Sequence, residues 1–326
     1  MKICAFEVRQ DEREFFLQMS QMYQCDTVLY KETLNPETIS FAEGADAVTI
    51  LGQSKIDREI LSGLCGSRIR FLNTRTVGYD HIDLDSAKEF GIRVCHSGYA
   101  PNGVADYAVM LMLLVLRHYK PALWRGEVYD YSLKGLMGRE MKDLTVGIIG
   151  TGKIGSCVIR NLSGFGCRIL ACSPTRKPDM ETFCKYVDLN TLYRECDLIS
   201  LHTPLNDRTY HMINHESIES MKHGVILINC ARGELMELDA LVDGIENGQI
   251  GGLGLDTVEG EQGLVHVDHR TDILKLRHIA YLRQFPNVVM TQHMAFYTDA
   301  AVRSMVKTAY EGLTALQSEG SSMYLV

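Results

Sequence analysis

The stretch Val146-Gly-Ile-Ile-Gly-Thr-Gly-Lys-Ile-Gly155 decides how the rest of this chain reads. It sets Gly150, Gly152 and Gly155 in G-x-G-x-x-G spacing, directly after the apolar run Leu144–Ile149 and directly before a helix-like segment ending near Phe165. That context suits a dinucleotide site. The first glycine permits a tight turn, the second lets backbone N–H groups approach a pyrophosphate, and the third lets the helix pack close to the strand, so the anion rests on the helix N-terminus. Gly150, Gly152, Lys153, Ile154 and Gly155 are therefore candidate phosphate-binding residues. The apolar run Ile169-Leu-Ala-Cys172 completes half of a βαβ unit.

Outward from this motif, short apolar strands alternate with amphipathic helices. Before it, Lys2–Phe6, Ala47–Leu51, Ile69–Leu72 and Ile92–Cys95 read as strands, with helical stretches around Glu12–Met22, Asp57–Cys65 and Leu84–Phe90. After it, Leu198–His202, Val225–Asn229 and Gly251–Asp256 read as strands, with helices near Glu216–Lys222 and Leu238–Asn247. Strands separated by helices pair in parallel, so the fold class is α/β, with two doubly wound parallel-sheet units in series. Asn102–Tyr119 reads as one long helix between them, and Pro101 just before it marks a hinge. The last helix, Asp299 to about Ser318, follows the second unit and is placed to cross back to the first.

Composition narrows the function classes. A chain of 326 residues, 46% apolar and 23% charged, can bury a sizeable core and divide into two domains. A net charge of −8 without basic runs disfavours nucleic acid as a partner, because phosphate neutralisation needs a basic surface. The ten cysteines contain no C-x-x-C pair, and Met-Lys-Ile-Cys-Ala-Phe-Glu is no secretory leader, so a cytoplasmic location is expected. The apolar run Tyr107–Leu116, flanked by Asp106 and Arg117, falls short of the ~20 residues of a membrane span and reads as a helix buried between domains or subunits.

The second half of the dinucleotide fingerprint departs from the simplest pattern. An acid about 20 residues past the first glycine ordinarily takes the ribose hydroxyls of NAD. Here Ser173 stands there, followed by Pro174-Thr-Arg-Lys177. A hydroxyl and two cations, Arg176 and Lys177, favour a 2′-phosphate, so NADP(H) is preferred over NAD(H). With the two cations as solvated turn residues, NAD would bind by default.

Chemistry is expected beyond the cofactor unit. Cys230-Ala-Arg-Gly233 follows a strand at the carboxyl edge of the sheet, where Arg232 can grip a carboxylate with its planar fork. Acids in Asp256-Thr-Val-Glu-Gly-Glu261 and the histidine of Thr291-Gln-His-Met-Ala-Phe-Tyr-Thr298 complete an Arg/Glu/His set. A carboxylate beside an imidazole favours its protonated form, which suits proton donation to a developing alkoxide. Spacing alone does not choose between Glu259 and Glu261. His266-Val-Asp-His269 suits no common metal geometry, so no metal is expected. Cys172 and Cys230 have no base nearby in sequence and read as small buried residues.

Six motifs in order, Thr74–Asp83, Tyr99–Asp106, Val146–Gly155, Asn229–Gly233, Asp256–Glu261 and His293–Thr298, resemble the D-2-hydroxyacid dehydrogenases over essentially the whole chain. Within them the chain looks like the D-lactate dehydrogenase branch, which includes the vancomycin-resistance enzymes. The resemblance implies a Rossmann cofactor domain, 101–295, inserted into a flavodoxin-like substrate domain, 1–100 plus 296–326, with a catalytic cleft between them. It implies Arg232, Glu261 and His293 as the catalytic set, Glu261 being the second acid of its motif, and His293 as proton donor in the reversible reduction of a 2-oxo acid to the (R)-2-hydroxy acid.

The same resemblance assigns the substrate carboxylate to Arg232 and to the backbone N–H groups of Val77 and Gly78. It sets Tyr99, Phe296 and Tyr297 around the substrate side chain, with ordinary packing an equal reading for Tyr297. It places Ser173, Thr203, Pro204, Cys230, Ala231 and Asp256 along the cofactor, Asp256 at the nicotinamide carboxamide. It implies a homodimer joined through helix 102–118. Lactate-like or larger 2-oxo acids are the expected substrates. Glyoxylate, 2-oxoglutarate or aromatic 2-oxo acids remain same-fold alternatives, and a dinucleotide-sensing corepressor is the alternative outside enzymology. Gln292 stands where relatives usually carry proline before the histidine.

Overall fold

The computed structural model describes residues 1–273 and 276–326. The chain forms two compact units, one of Met1–Ala100 with Tyr297–Val326, the other of Pro101–Phe296.

The first unit begins β1 (Lys2–Ala5), α1 (Arg13–Tyr23), β2 (Asp26–Leu29), β3 (Ala47–Ile50), α2 (Arg58–Gly66), β4 (Phe71–Thr74), α3 (Leu84–Glu89) and β5 (Arg93–His96). Its strands run parallel in the order β2-β1-β3-β4-β5. The central strand β3 is buried along its whole length, as expected of a parallel sheet covered on both faces. Asp57 starts α2 by accepting the N–H groups of Glu59 and Ile60. At the exit of β4, the fully buried Arg75 donates to Glu12 at 3.0 Å and to the Phe6 carbonyl at 2.9 Å. A buried cation is tolerable only with partners of this kind, and these pin the start of the turn that carries Val77 and Gly78.

The second unit runs α4 (Asn102–Leu116), α5 (Tyr119–Glu127), β6 (Thr145–Ile149), α6 (Lys153–Ser163), β7 (Arg168–Cys172), β8 (Lys185–Tyr186), α7 (Leu189–Glu195), β9 (Leu198–Leu201), α8 (His215–Glu219), β10 (Val225–Asn229), α9 (Leu238–Glu246), β11 (Ile250–Leu255), α10 (Arg277–Leu282) and β12 (Val288–Met290). Its seven strands are parallel in the order β12-β11-β10-β9-β6-β7-β8. Alternate side chains feed two apolar layers. Val146, Ile148, Ile226 and Ile228 face α4 and α6, while Ile149, Leu227 and Leu253 face α7, α8 and α9.

The expected single helix over 102–119 is two helices. Arg117 ends α4, His118 is left-handed at φ +50°, and α5 restarts at Tyr119. Pro121 supplies the reason, since in a continuous helix it could not donate to the Arg117 carbonyl and its ring would collide with it. Most of α4 is consumed inside its own unit, against α6, β10, β11 and β12. Among the described residues, no helix is long and apolar enough to cross a membrane. The last helix, α11 (Asp299–Ser318), is capped by Thr298 and packed on α1, β4 and β5 of the first unit, and the residues after it bond to β5 through Tyr324 and Val326.

Candidate active site

Strand order in the second unit reverses between β6 and β9, and the loops leaving these neighbouring strands diverge there, as at ligand sites of doubly wound sheets. The glycine run leaves β6 at this point. Gly150 is left-handed at φ +92°, and a methyl group on it would sit 2.5 Å from the His202 carbonyl oxygen, beside the Thr203-Pro204 turn that leaves β9. A methyl on Gly155 would run into the Gly150 carbonyl, whereas one on Gly152 would meet nothing within 4 Å. Two glycines thus close the turn and the third opens it. Gly152 heads α6 with no side-chain cap, so the first N–H groups of Lys153, Ile154 and Gly155 are left for a ligand. This cradle fits a dinucleotide pyrophosphate.

The next loop places Ser173 after β7, partly exposed. Tyr186 organises the rest of this loop: its hydroxyl accepts Lys177 N at 3.2 Å and donates to Thr151 Oγ1 at 3.1 Å, and the Arg176 guanidinium lies 6.0 Å from its ring centre. Lys177 Nζ turns back to Ser156 Oγ at 3.3 Å. Asp179 pairs with Arg160 at 3.0 Å.

The loops after β10, β11 and β12 bring the expected Arg/Glu/His set into one unit. Asn229, fully buried, clamps the first: its Oδ1 accepts Ala231 N at 2.9 Å and its Nδ2 donates to the Arg232 carbonyl at 2.7 Å. Arg232 Nη1 donates to the Ala231 carbonyl at 2.8 Å. The Cys230 thiol is pushed well above its ordinary value by burial, and Cys172 is raised for the same reason, so neither is a ready nucleophile.

Asp256 is 1% exposed and holds the histidine segment. Its Oδ1 accepts Thr291 Oγ1 at 2.6 Å and Met294 N at 2.9 Å, its Oδ2 accepts Ala295 N at 2.7 Å, and its carbonyl takes His293 N at 2.9 Å. These bonds fix His293 in a left-handed conformation, φ +53°. Asp256 accounts for the bonds that hold this turn with Gln292, rather than proline, before the histidine. His293 Nδ1 meets Glu261 Oε1 at 2.5 Å, and Glu261 Oε2 accepts Val258 N at 2.9 Å. Glu259 instead meets His211 Nε2 at 2.7 Å. Of the two acids that spacing left open, Glu261 is the one that meets His293.

Phe296, expected at the substrate side chain, stands edge-on to His293, ring centres 6.3 Å apart. In the first unit, Val77 is partly exposed and Thr76 Oγ1 donates to the Gly78 carbonyl at 2.6 Å, closing their turn. Tyr99 is half-buried, and Tyr297 carries the Arg9 guanidinium 5.2 Å from its ring centre, with burial and Asp11 raising its phenol pKa.

Comparison with known proteins identifies the family. The profile of the D-isomer specific 2-hydroxyacid dehydrogenase NAD binding domain matches residues 109–295. An aromatic 2-oxoacid reductase of Clostridium sporogenes is 41% identical over 98% of both chains, and a D-lactate dehydrogenase of Lactobacillus delbrueckii subsp. bulgaricus is 37% identical over 95% of this chain and 94% of that one. The structure of a D-2-hydroxyisocaproate dehydrogenase superposes with a TM-score of 0.89 at 31% identity, covering 100% of this chain and 99% of that one. The chain belongs to the D-2-hydroxyacid dehydrogenases.

Several contacts in and around this dehydrogenase's site had no signal in the sequence. The clamp by Asn229 is an amide speaking to backbone, and His211 finds Glu259 across 48 residues. His202, partly buried beneath the glycine turn, touches Ser200 Oγ at 2.9 Å, and burial pushes it down to about 4, so it stays neutral. His266, expected only as a poor metal ligand, reaches the His293 carbonyl at 3.0 Å.

Proposed function

We propose that this dehydrogenase reduces 2-oxo acids with aromatic side chains to (R)-2-hydroxy acids, with His293 as proton donor. The observation that carries the reading is the 2.5 Å contact of His293 Nδ1 with Glu261. It commits one ring nitrogen and leaves Nε2 to face a substrate oxygen. A reduced nicotinamide, when bound, supplies the hydride. Arg232 grips the carboxylate and polarises the 2-oxo group, the N–H groups of Val77 and Gly78 are assigned to the same carboxylate, and Glu261 orients the imidazole. Asp256 Oδ2 retains an acceptor position for an amide beside the one taken by Ala295. Tyr99, Phe296 and Tyr297 are assigned to the substrate side chain. The aromatic preference is supported by the 41% identical relative, an aromatic 2-oxoacid reductase.

For the cofactor, we assign a preference for NADP(H) over NAD(H) to Ser173 and Arg176, with Lys177 steadying the loop through Ser156. Gly150 to Gly155 take the pyrophosphate, and Thr203, Pro204, Cys230 and Ala231 flank the rest. We further propose a homodimer. Tyr119, Trp124, Tyr129, Tyr131, Leu133 and Met137 are all exposed within one stretch, an apolar concentration that a second copy would cover. This segment, more than the largely buried α4, is the surface available for it. Ten free thiols suit a reducing cytosol.

The test is turnover with pyruvate, 4-methyl-2-oxopentanoate, phenylpyruvate and 2-oxoglutarate, each with NADPH and NADH, by wild type and Ser173→Asp. Phenylpyruvate with NADPH is expected to give the highest kcat/KM, and Ser173→Asp to reverse the cofactor order. Consumption of neither cofactor with any substrate refutes the enzyme. A wild-type preference for NADH refutes the assignment of Ser173 and Arg176.

A further inference from the structure

Glu261 is followed by a tight return of the chain. Its carbonyl accepts Leu264 N at 2.9 Å and Val265 N at 3.2 Å, with Gly260, Gly263 and His266 all left-handed at φ +77°, +73° and +63°. The far end is pinned by His269, whose Nε2 meets the Gly263 carbonyl at 3.0 Å and whose Nδ1 meets Asp272 at 2.8 Å. The return delivers His266 to a second point of contact on His293: Glu261 takes the ring, His266 takes the backbone.

His266 makes two contacts there. Its Nε2 lies 3.0 Å from the His293 carbonyl oxygen, and since a carbonyl only accepts, that nitrogen carries the proton. Its ring centre is 6.2 Å from His293 and 6.2 Å from Phe296, tilted 66° to the latter, while His293 and Phe296 are 6.3 Å apart at 80°. Three rings thus meet at steep angles, close to the edge-to-face arrangement aromatic groups prefer. The hydrogen bond also falls on a residue with a costly backbone: a non-glycine residue at φ +53° persists only when its surroundings over-determine it. Asp256 holds the N–H groups of this turn, and His266 holds a carbonyl.

We propose that His266 is a positioning and specificity residue: its Nε2–H fixes the left-handed His293, and its ring forms with Phe296 the wall that receives an aromatic substrate side chain. This rests on the reading of His293 as proton donor. The two roles separate by substitution, because phenylalanine keeps a ring without a donor and glutamine keeps a donor without a ring. His266→Phe is expected to lower kcat about fivefold with pyruvate and phenylpyruvate alike, with KM nearly unchanged, the scale of one lost hydrogen bond. His266→Gln is expected to keep kcat and to raise KM for phenylpyruvate about fivefold while sparing pyruvate, the scale of one lost aromatic contact.

Equal losses in the two variants, or none in His266→Phe, would overturn the proposal while leaving wild-type turnover, and hence the enzyme, intact. A readout free of activity comes from 15N imidazole spectra of the full chain. Neutral His266 is expected as the Nε2–H tautomer, and the His293 ring signals are expected to move in His266→Phe. An Nδ1–H tautomer, or unmoved His293 signals, contradicts the seat of His266 whether or not any substrate turns over.

Discussion

Among the histidine–glutamate pairs of the second unit, two have acids only two positions apart in sequence. His293 offers Nδ1 to Glu261 at 2.5 Å, and His211 offers Nε2 to Glu259 at 2.7 Å. The partners differ in what else they hold. Tyr210 stacks on His211 with ring centres 4.0 Å apart, and the second oxygen of Glu259 lies 3.4 Å from Leu238 N, so this pair ties the 206–214 loop to the start of α9. The second oxygen of Glu261 closes its own turn on Val258 N, and His293 is held through its backbone, so its ring is oriented without being enclosed. On the proposed mechanism, the same pair chemistry serves as a latch in one place and as a poised proton donor in the other. The distinction lies in which nitrogen is spent.

The largest expected effect breaks the two apart. His293→Ala should lower kcat/KM for 2-oxo acid reduction by at least ~10², the usual worth of a positioned general acid. His211→Ala should leave kcat within a fewfold but cost about 1–3 kcal/mol of stability, read as a lower midpoint in urea, because it strands a half-buried carboxylate. Comparable loss of turnover in both variants would erase the distinction drawn between the pairs.

A smaller effect sharpens the comparison, because the loop carrying His266 belongs to the His293 pair alone. Both ring nitrogens of His269 face acceptors, so the loop is pinned by the imidazolium. The hydrogen bond to Asp272 raises the His269 pKa above its ordinary value. A raised folded-state value means the hold is complete below the ordinary histidine range and is lost as pH climbs through the raised value. Amide protection of residues 262–270 is therefore expected to be higher at about pH 6 than at about pH 9, with the transition moved to lower pH in Asp272→Asn. Protection that ignores pH, or a transition unmoved in Asp272→Asn, would free the loop from His269.

Much of the framework was legible because parallel strands buried on both faces are written as continuous apolar runs. Val225–Asn229 and the final helix Asp299–Ser318 coincide with the sequence reading. Three strands escaped it. Asp26–Leu29 is an edge strand with no fully buried residue, and Lys185–Tyr186 and Val288–Met290 are too short to show a period. In the site, residues anchored by side-chain chemistry or by glycine spacing, such as Gly150, Gly155 and Arg232, could be singled out by motif. The roles of those that act on backbone could not, since Asn229 and His266, though both lie in stretches read above, bond carbonyl groups that every residue has. Nor could spacing separate Glu259 from Glu261, because both lie on one turn and face different histidines.

That last pair offers the most direct measurement. Steady-state kcat/KM for phenylpyruvate should be compared in Glu261→Gln and Glu259→Gln at neutral pH. Loss of at least tenfold in Glu261→Gln, with Glu259→Gln within about threefold of wild type, is the predicted result, since only the first acid orients the proton donor. An equal loss in both, or the greater loss in Glu259→Gln, would contradict the assignment of His293 and Glu261 as the chemical pair.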